Sequence, residues 1–289
     1  MLFLVLRIIC APLSVLLGTL AQRRFGHAVG GLIVGLPLLF LPFLWLVAHA
    51  YGVGFARSMT TSLLVAATAE VALLWTFAFL AQRYSAARSM LGALGAFALV
   101  AAVLKFAHVS LVLGTLLAVL SLTLALVLWP STTPNAHLVG KQRLSLRLAV
   151  STVFTVLLIS FAGHLGASLS GILDSIPLTS LMIAFFTHRE ASAEGSSAFL
   201  RGVTRGSFSY VIAMFVLVKM WHASNELFAF SISLVAALLV QLALQSSGSV
   251  LELFAALSSD EVTQRVGHHV HRRVPGASTF KKFYESISA

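Results

Sequence analysis

An all-α, polytopic membrane protein of about nine transmembrane helices is what this sequence predicts, and three features predict it. Long apolar stretches recur along the whole chain, they contain almost no charge, and Lys and Arg are unevenly divided among the segments that join them. Apolar residues make up 58% of the 289 positions and charged residues only 10%, against about a quarter charged in a soluble domain.

The stretches cover roughly 1–21, 28–50, 58–80, 89–105, 108–129, 144–163, 164–187, 199–220 and 224–246. Most approach or exceed the ~20 residues that carry a helix across a ~30 Å hydrocarbon core. When the joining segments are assigned alternately to two sides, one side holds Arg23, Arg24, Arg83, Arg88, Lys141, Arg143, Arg147, Arg189, Arg201 and Arg205, with the basic residues of the tail. The other holds only Arg7, Arg57, Lys105 and Lys219. Positive charge is retained on the cytoplasmic face, so the N-terminus is expected outside and the C-terminus inside a bacterial inner membrane. One helix more or fewer would scramble this division. The net charge of +10 then belongs to loops facing anionic headgroups and does not point to nucleic acid.

Span one carries Arg7 and the lone cysteine, Cys10, which excludes an intramolecular disulfide and a Cys-based metal site. Arg7 interrupts the apolar run and no basic segment precedes it, so the span reads as a retained helix rather than a cleaved leader. Span two contains Gly30-Gly31-Leu32-Ile33-Val34-Gly35-Leu36-Pro37, with Pro42 beyond, and span seven contains Ser170-Gly171-Ile172-Leu173-Asp174-Ser175-Ile176-Pro177. A proline inside a helix removes a backbone bond and opens or kinks the helix there. Glycines nearby admit another helix or a ligand at close range. Tight packing of kinked helices explains the same residues as well as a binding site does.

The second half echoes the first in an ungapped register offset by about 140 residues. Arg7 falls on Arg147, Gly26 on Gly166, Gly31 on Gly171, Pro37 on Pro177 and Leu41 on Leu181. Span one then corresponds to span six, five helices later, and an odd shift makes the two copies cross the membrane in opposite directions. Inverted-topology repeats recur in secondary transporters, with the substrate site at broken helices near the midplane. The expected organisation is residues 1–130 as repeat one (spans one to four) plus a linking span five, and 131–246 as repeat two (spans six to nine). Residues 247–289 form a basic cytoplasmic tail, partly disordered, with a capping-box pair at Ser258 and Glu261.

Glu70 in mid-span three and Asp174 in span seven are carboxylates at membrane depth, costly unless paired, protonated or facing a wet cavity. Each is a candidate to hold a proton and release it when the cavity hydrates, and each is also explained by a hydrogen bond to a neighbouring hydroxyl such as Ser175 or Thr179. Arg7 and Arg147 are expected near opposite faces, snorkelling to lipid phosphate, or else drawing an anionic substrate or neutralising Asp174 or Glu70. Tyr210 falls opposite Glu70 in the repeat register, while Asn225, Glu226 and Gln241 flank or enter span nine. His27, His49, His108, His164, His188 and His222 sit at helix ends. The only ligand-dense run is His268-His269-Val270-His271, which lacks the scaffold of a metal site. No nucleophile elbow, zinc-protease motif or phosphate loop is present, so neither enzyme chemistry nor a cofactor is expected.

Residues 31–52, with Gly35-Leu36-Pro37, Pro42, Ala48-His49 and Gly52, resemble the Gly-Leu…Pro…Pro…Ala-His…Gly stretch of the GlpM family. The resemblance implies two such units in one chain, each like those small four-span inner-membrane proteins linked to envelope polysaccharide production. The proline spacing differs, and the resemblance carries no catalytic residues. The general plan is also similar to that of drug/metabolite carriers, which have ten spans where nine are counted here. Two functions stay open: a secondary transporter or flippase for a small or lipid-linked solute, and a non-transporting membrane subunit of a cell-surface biosynthesis complex. The expected partners are the lipid bilayer and either another membrane protein or a second copy of the chain.

The charge division makes a direct prediction. Reporter fusions at the basic tail should read cytoplasmic and fusions near residues 52–54 extracytoplasmic; a tail on the far side would overturn the assignment.

Overall fold

The computed structural model describes residues 2–38, 40–107, 109–130, 144–153, 176–221 and 225–244, with side chains from Pro12 onward. Every element among them is helical: α1 (Leu2–Phe25), α2 (His27–Gly35), α3 (Phe40–Tyr51), α4 (Val53–Ala81), α5 (Ala86–Phe106), α6 (Leu111–Val127), α7 (Leu144–Val153), α8 (Leu178–Glu190), α9 (Ala193–Met220) and α10 (Glu226–Leu244). The chain forms two compact units, Met1–Gln241 and Leu242–Ala289, and the second is described only for residues 242–244. All ten helices, apart from those last three residues of α10, belong to the first unit. The sequence expectations for 154–175 and 247–289, including Gly171, Asp174 and the histidine run, lie outside the described residues.

Among the described residues, five helical segments are long and apolar enough to cross a membrane: α2 with α3 (His27–Tyr51), α4, α5, α9 and α10. The outward faces of α5 and α10 are apolar. Leu91, Leu99 and Val103 on α5, and Leu227, Val235, Leu239 and Leu242 on α10, are all exposed. That distribution suits lipid, since acyl chains are as apolar as leucine and give it no reason to turn inward. Buried hydroxyls bond back within their own helices: Thr60 donates to the Ala56 carbonyl (2.8 Å), Thr204 to Leu200 (2.9 Å) and Ser207 to Val203 (2.9 Å). Each of these side chains is thereby satisfied without water.

Two helix junctions are single glycines. Gly26 joins α1 to α2 with φ 86° and ψ 171°, and Gly52 joins α3 to α4 with φ 84° and ψ 155°. This region of backbone space is essentially closed to residues with a Cβ. Each glycine N–H closes the preceding helix, onto Gln22 (2.9 Å) and Ala48 (2.9 Å), and each carbonyl opens the next.

Span two is broken where its proline predicts. α2 stops at Gly35, and the Leu36 N–H turns back to Ile33 (3.3 Å). The Pro37 carbonyl then accepts the Leu41 N–H (3.0 Å) and starts α3. Pro42 makes no second break. It lies in the first turn of α3, where its missing N–H would have no helical partner in any case. Pro177 stands at the N-cap of α8, and its carbonyl accepts from Leu181 (3.0 Å).

α9 runs through the middle of the unit, packed on α2, α4, α6 and α8. Its pairing with α2 is backbone against backbone. Gly31 faces the Phe199 carbonyl and the Val203 nitrogen, and Gly35 faces the Val203 carbonyl and Gly206. Reciprocally, Gly202 faces the Ala28 carbonyl and Gly206 the Leu32 carbonyl. Both helices thus present a small-xxx-small pair to the other, a close-approach device of membrane helices. Two core clusters lie along the bundle. One contains Leu44, Leu64, Leu122, Val211, Met214 and Leu217, and the other Leu73, Phe77, Phe97, Leu181, Ile183 and Leu200.

A side chain at Gly31 or Gly202 would collide with a carbonyl that cannot rotate away. Gly31→Val or Gly202→Val should cost at least the ~1–3 kcal/mol of ordinary overpacking and abolish the monodisperse peak in detergent chromatography. Gly95→Ala, with nothing within 4 Å of the added carbon, should leave that peak intact and the melting temperature no lower, since alanine favours a helix interior over glycine.

Candidate functional site

Two polar constellations stand out, one at mid-span and one at the end of the bundle that carries Arg23, Arg83 and Arg189. The first is built on Glu70. Its neighbours on α4 divide between the two core clusters, Ala67 and Val71 in one and Ala69 and Leu73 in the other. Glu70 therefore stands where the clusters meet. The residue is half-buried, and among the described residues no hydrogen bond or ion pair reaches it. Across the bundle stands the phenol of Tyr210 on α9, near enough to feel the charge of Glu70. Tyr210 is buried and packs edge-on against Phe40, with centroids 5.3 Å apart at 74°. Phe40 is the first residue after the break. The helix break, the aromatic pair and the mid-span carboxylate are thus one site, assembled from α3, α4 and α9. It brings together a titratable group, a hydroxyl and the positive end of a half-helix.

The second constellation surrounds Arg147 on α7, whose side chain has no solvent exposure. Its Nε donates to Glu190 Oε2 (3.0 Å) and its Nη2 lies 2.8 Å from the same oxygen. Nη1 donates to Gln22 Oε1 (3.2 Å) and, at 3.5 Å, to Thr19. Gln22 in turn donates to Thr187 (3.2 Å), and the guanidinium lies over the Phe186 ring at 5.9 Å. The cluster binds the C-terminal ends of α1 and α8 to α7. Arg147 therefore does not snorkel to lipid as the sequence suggested, and among the described residues its carboxylate partner is Glu190, not Glu70. A nearer carboxylate at the end of α8 satisfies it inside the protein.

Other predicted residues have structural employment. Gly35 ends α2 and lies in the glycine seam. Asn225 accepts from the Leu227 N–H (3.1 Å) and so caps α10. Glu226 lies 3.2 Å from His49 Nδ1. Gln241 accepts from buried Ser209 (2.9 Å). His188 faces the Ala81 carbonyl (3.1 Å), which requires that ring nitrogen to carry a hydrogen. The Arg7 side chain and Asp174 lie outside the described residues. Among those described, no three His, Cys, Asp or Glu side chains converge as metal ligands would.

Sequence reasoning missed Glu190, Gln22 and Thr187. Glu190 follows Arg189 at a helix end and reads there as part of a solvated charge pair. The signal that could have found it is scarcity: the chain has nine acidic residues against nineteen Lys and Arg, so each carboxylate near a span is a candidate partner for a buried cation.

Removing one side of the buried pair strands the other charge. Arg147→Met or Glu190→Leu alone should destabilise by about 3–5 kcal/mol, whereas the double substitution should recover much of the loss. Melting of the four variants in detergent measures this as a double-mutant cycle.

No family model, curated protein or solved structure matches the chain, so its geometry alone carries the functional reading.

Proposed function

We propose that this protein is a secondary carrier or flippase of a bacterial inner membrane, moving a small or lipid-linked solute coupled to protons, with its N-terminus outside and its C-terminus in the cytoplasm. The observation that carries the reading is Glu70: a mid-span carboxylate with no hydrogen bond or ion pair among the described residues, beside a helix break and a buried tyrosine. On an insertion scale, an acidic residue at the centre of a membrane helix costs about 2.5–3.5 kcal/mol. A cost of that size, unrelieved by a bonded partner among the described residues, is consistent with a group that has work to do. In this reading Glu70 takes up a proton when the cavity opens to one side and releases it on the other. Tyr210 and the start of α3 orient the solute, and Asp174 is its proposed counterpart in the second half.

The proposed architecture is nine spans in two inverted repeats. It is supported by the matched roles of the two prolines, each with its carbonyl accepting the N–H four residues on, from Leu41 and from Leu181 (both 3.0 Å). The two half-helices also run in opposite senses. Thr187, in the last turn of α8, is bonded to Gln22 near the end of α1, while α2 and α3 lead away from that level.

A second reading is a non-transporting subunit of an envelope-polysaccharide or other cell-surface assembly. It is favoured by an open apolar groove of about 320 Å³ between α3 and α10, lined by Leu38, Leu41, Pro42, Trp45, Phe230 and Leu234. The α3 side of the groove belongs to the stretch resembling the GlpM family, and a partner helix would fit there.

Glu70→Gln separates the two readings. Everted vesicles holding the wild-type chain should show solute-dependent proton movement with some member of a panel of amphipathic and lipid-linked compounds. Glu70→Gln should reduce that signal tenfold or more at unchanged membrane abundance. A wild-type chain that moves no solute, together with a Glu70→Gln strain of normal phenotype, would leave the subunit reading in place.

A further inference from the structure

Arg201 and Arg205 lie on the outward face of α9, away from the glycine seam. Both are exposed, neither has an ion pair or hydrogen bond among the described residues, and they are close enough to repel each other. Glu194, two turns before Arg201 on the same face, pairs with neither.

Their depth can be read from two markers. The Trp129 indole donates to Ser197 Oγ (3.1 Å), and tryptophan concentrates at the membrane–water boundary. At the other end, Lys219 lies in the last turn of α9, and ~20 residues back, the width of the hydrocarbon core, reaches the neighbourhood of Arg201. Arg201 thus sits at headgroup level and Arg205 about 6 Å deeper. In a helix the Cα–Cβ bond leans toward the N-terminus, which for α9 is the headgroup end, so the long Arg205 side chain can extend toward the headgroup level. Two guanidiniums one turn apart on the same face, near enough to repel each other, thus stand at the edge of a medium that cannot solvate them. Directly below on the same face are half-buried Phe208 and Ile212.

We propose that Arg201 and Arg205 bind the headgroup phosphate of an anionic phospholipid, whose acyl chain lies along Phe208 and Ile212. A phosphodiester presents two oxygens that match the guanidinium fork, and its charge relieves the repulsion between the two arginines. The apolar face beneath them has a use for an acyl chain and none for a soluble anion, which selects the lipid. The site rests on α9 crossing a bilayer and is independent of the carrier reading.

The test uses the full chain, delipidated in neutral detergent and titrated with short-chain phosphatidylglycerol or phosphatidylcholine, with occupancy read by native mass spectrometry. Phosphatidylglycerol should bind about 30-fold more tightly, the equivalent of two basic residues at about 1 kcal/mol each. R201Q/R205Q should erase that margin while keeping the wild-type melting temperature. R201K/R205K, which keeps the charge and loses the fork, should retain part of it. Equal affinity for the two lipids in the wild type, or a preference that survives in folded R201Q/R205Q, would overturn the site. Displacement of the lipid by inorganic phosphate at equal concentration would also overturn it, in favour of a soluble anion.

Discussion

The glycine seam between α2 and α9 is the contact on which the remaining geometry depends. α2 has nine residues, too few to hold a helix by propensity, since isolated helices shorter than ~12–15 residues are marginal. It persists because Gly31 and Gly35 bring its backbone against that of α9 at Gly202 and Gly206. At that range dispersion and weak Cα–H contacts act along the whole interface. The seam also fixes where span two breaks. Gly35 is both the last residue of α2 and the last of its glycines to touch α9, and beyond it Pro37 redirects the chain. α3 therefore starts with Phe40 on Tyr210, and Tyr210 lies within reach of Glu70. A shift of the seam by one turn would separate all three.

Polar contacts act mainly at one end of the bundle. Gln22 with Thr187, Trp129 with Ser197, His188 with Ala81 and Arg147 with Glu190 each join helices at that level. A buried ion pair adds little net stability, because desolvation offsets most of its Coulomb gain. Its effect is on register: with no water to substitute, a misplaced α7 would leave a guanidinium without a partner. The middle of the bundle carries no comparable set of bonds among the described residues. There the helices meet through glycine, alanine and leucine, and the polar groups in view are the Glu70–Tyr210 pair and the Ser209–Gln241 bond. Polar bonds fix one end, while the centre is held mainly by the fit of small and apolar side chains.

Much of the fold was legible in the sequence, because it follows from properties a residue carries with it. A run of some twenty apolar residues must satisfy its own backbone bonds and so becomes a helix. Proline lacks an N–H wherever it stands, and the break before α3 follows from Pro37. Glu70 was recognisable as costly from its position in an apolar run. The neighbour that matters to it, Tyr210, was visible only as a register coincidence.

What only the tertiary structure decided is which of these residues meet. Arg147 looked like a cation bound for the lipid surface, and it became a buried partner of Glu190 because α7 lies against the ends of α1 and α8. The glycines of α9 sit in a sequence that reads as an ordinary basic helix start, yet they match those of α2 one for one. Composition and periodicity determine whether a segment is a helix and which end carries charge, since those are local balances of solvation and backbone bonding. Pairing across tens or hundreds of residues depends on how rigid helices cross, and only the assembled bundle sets that.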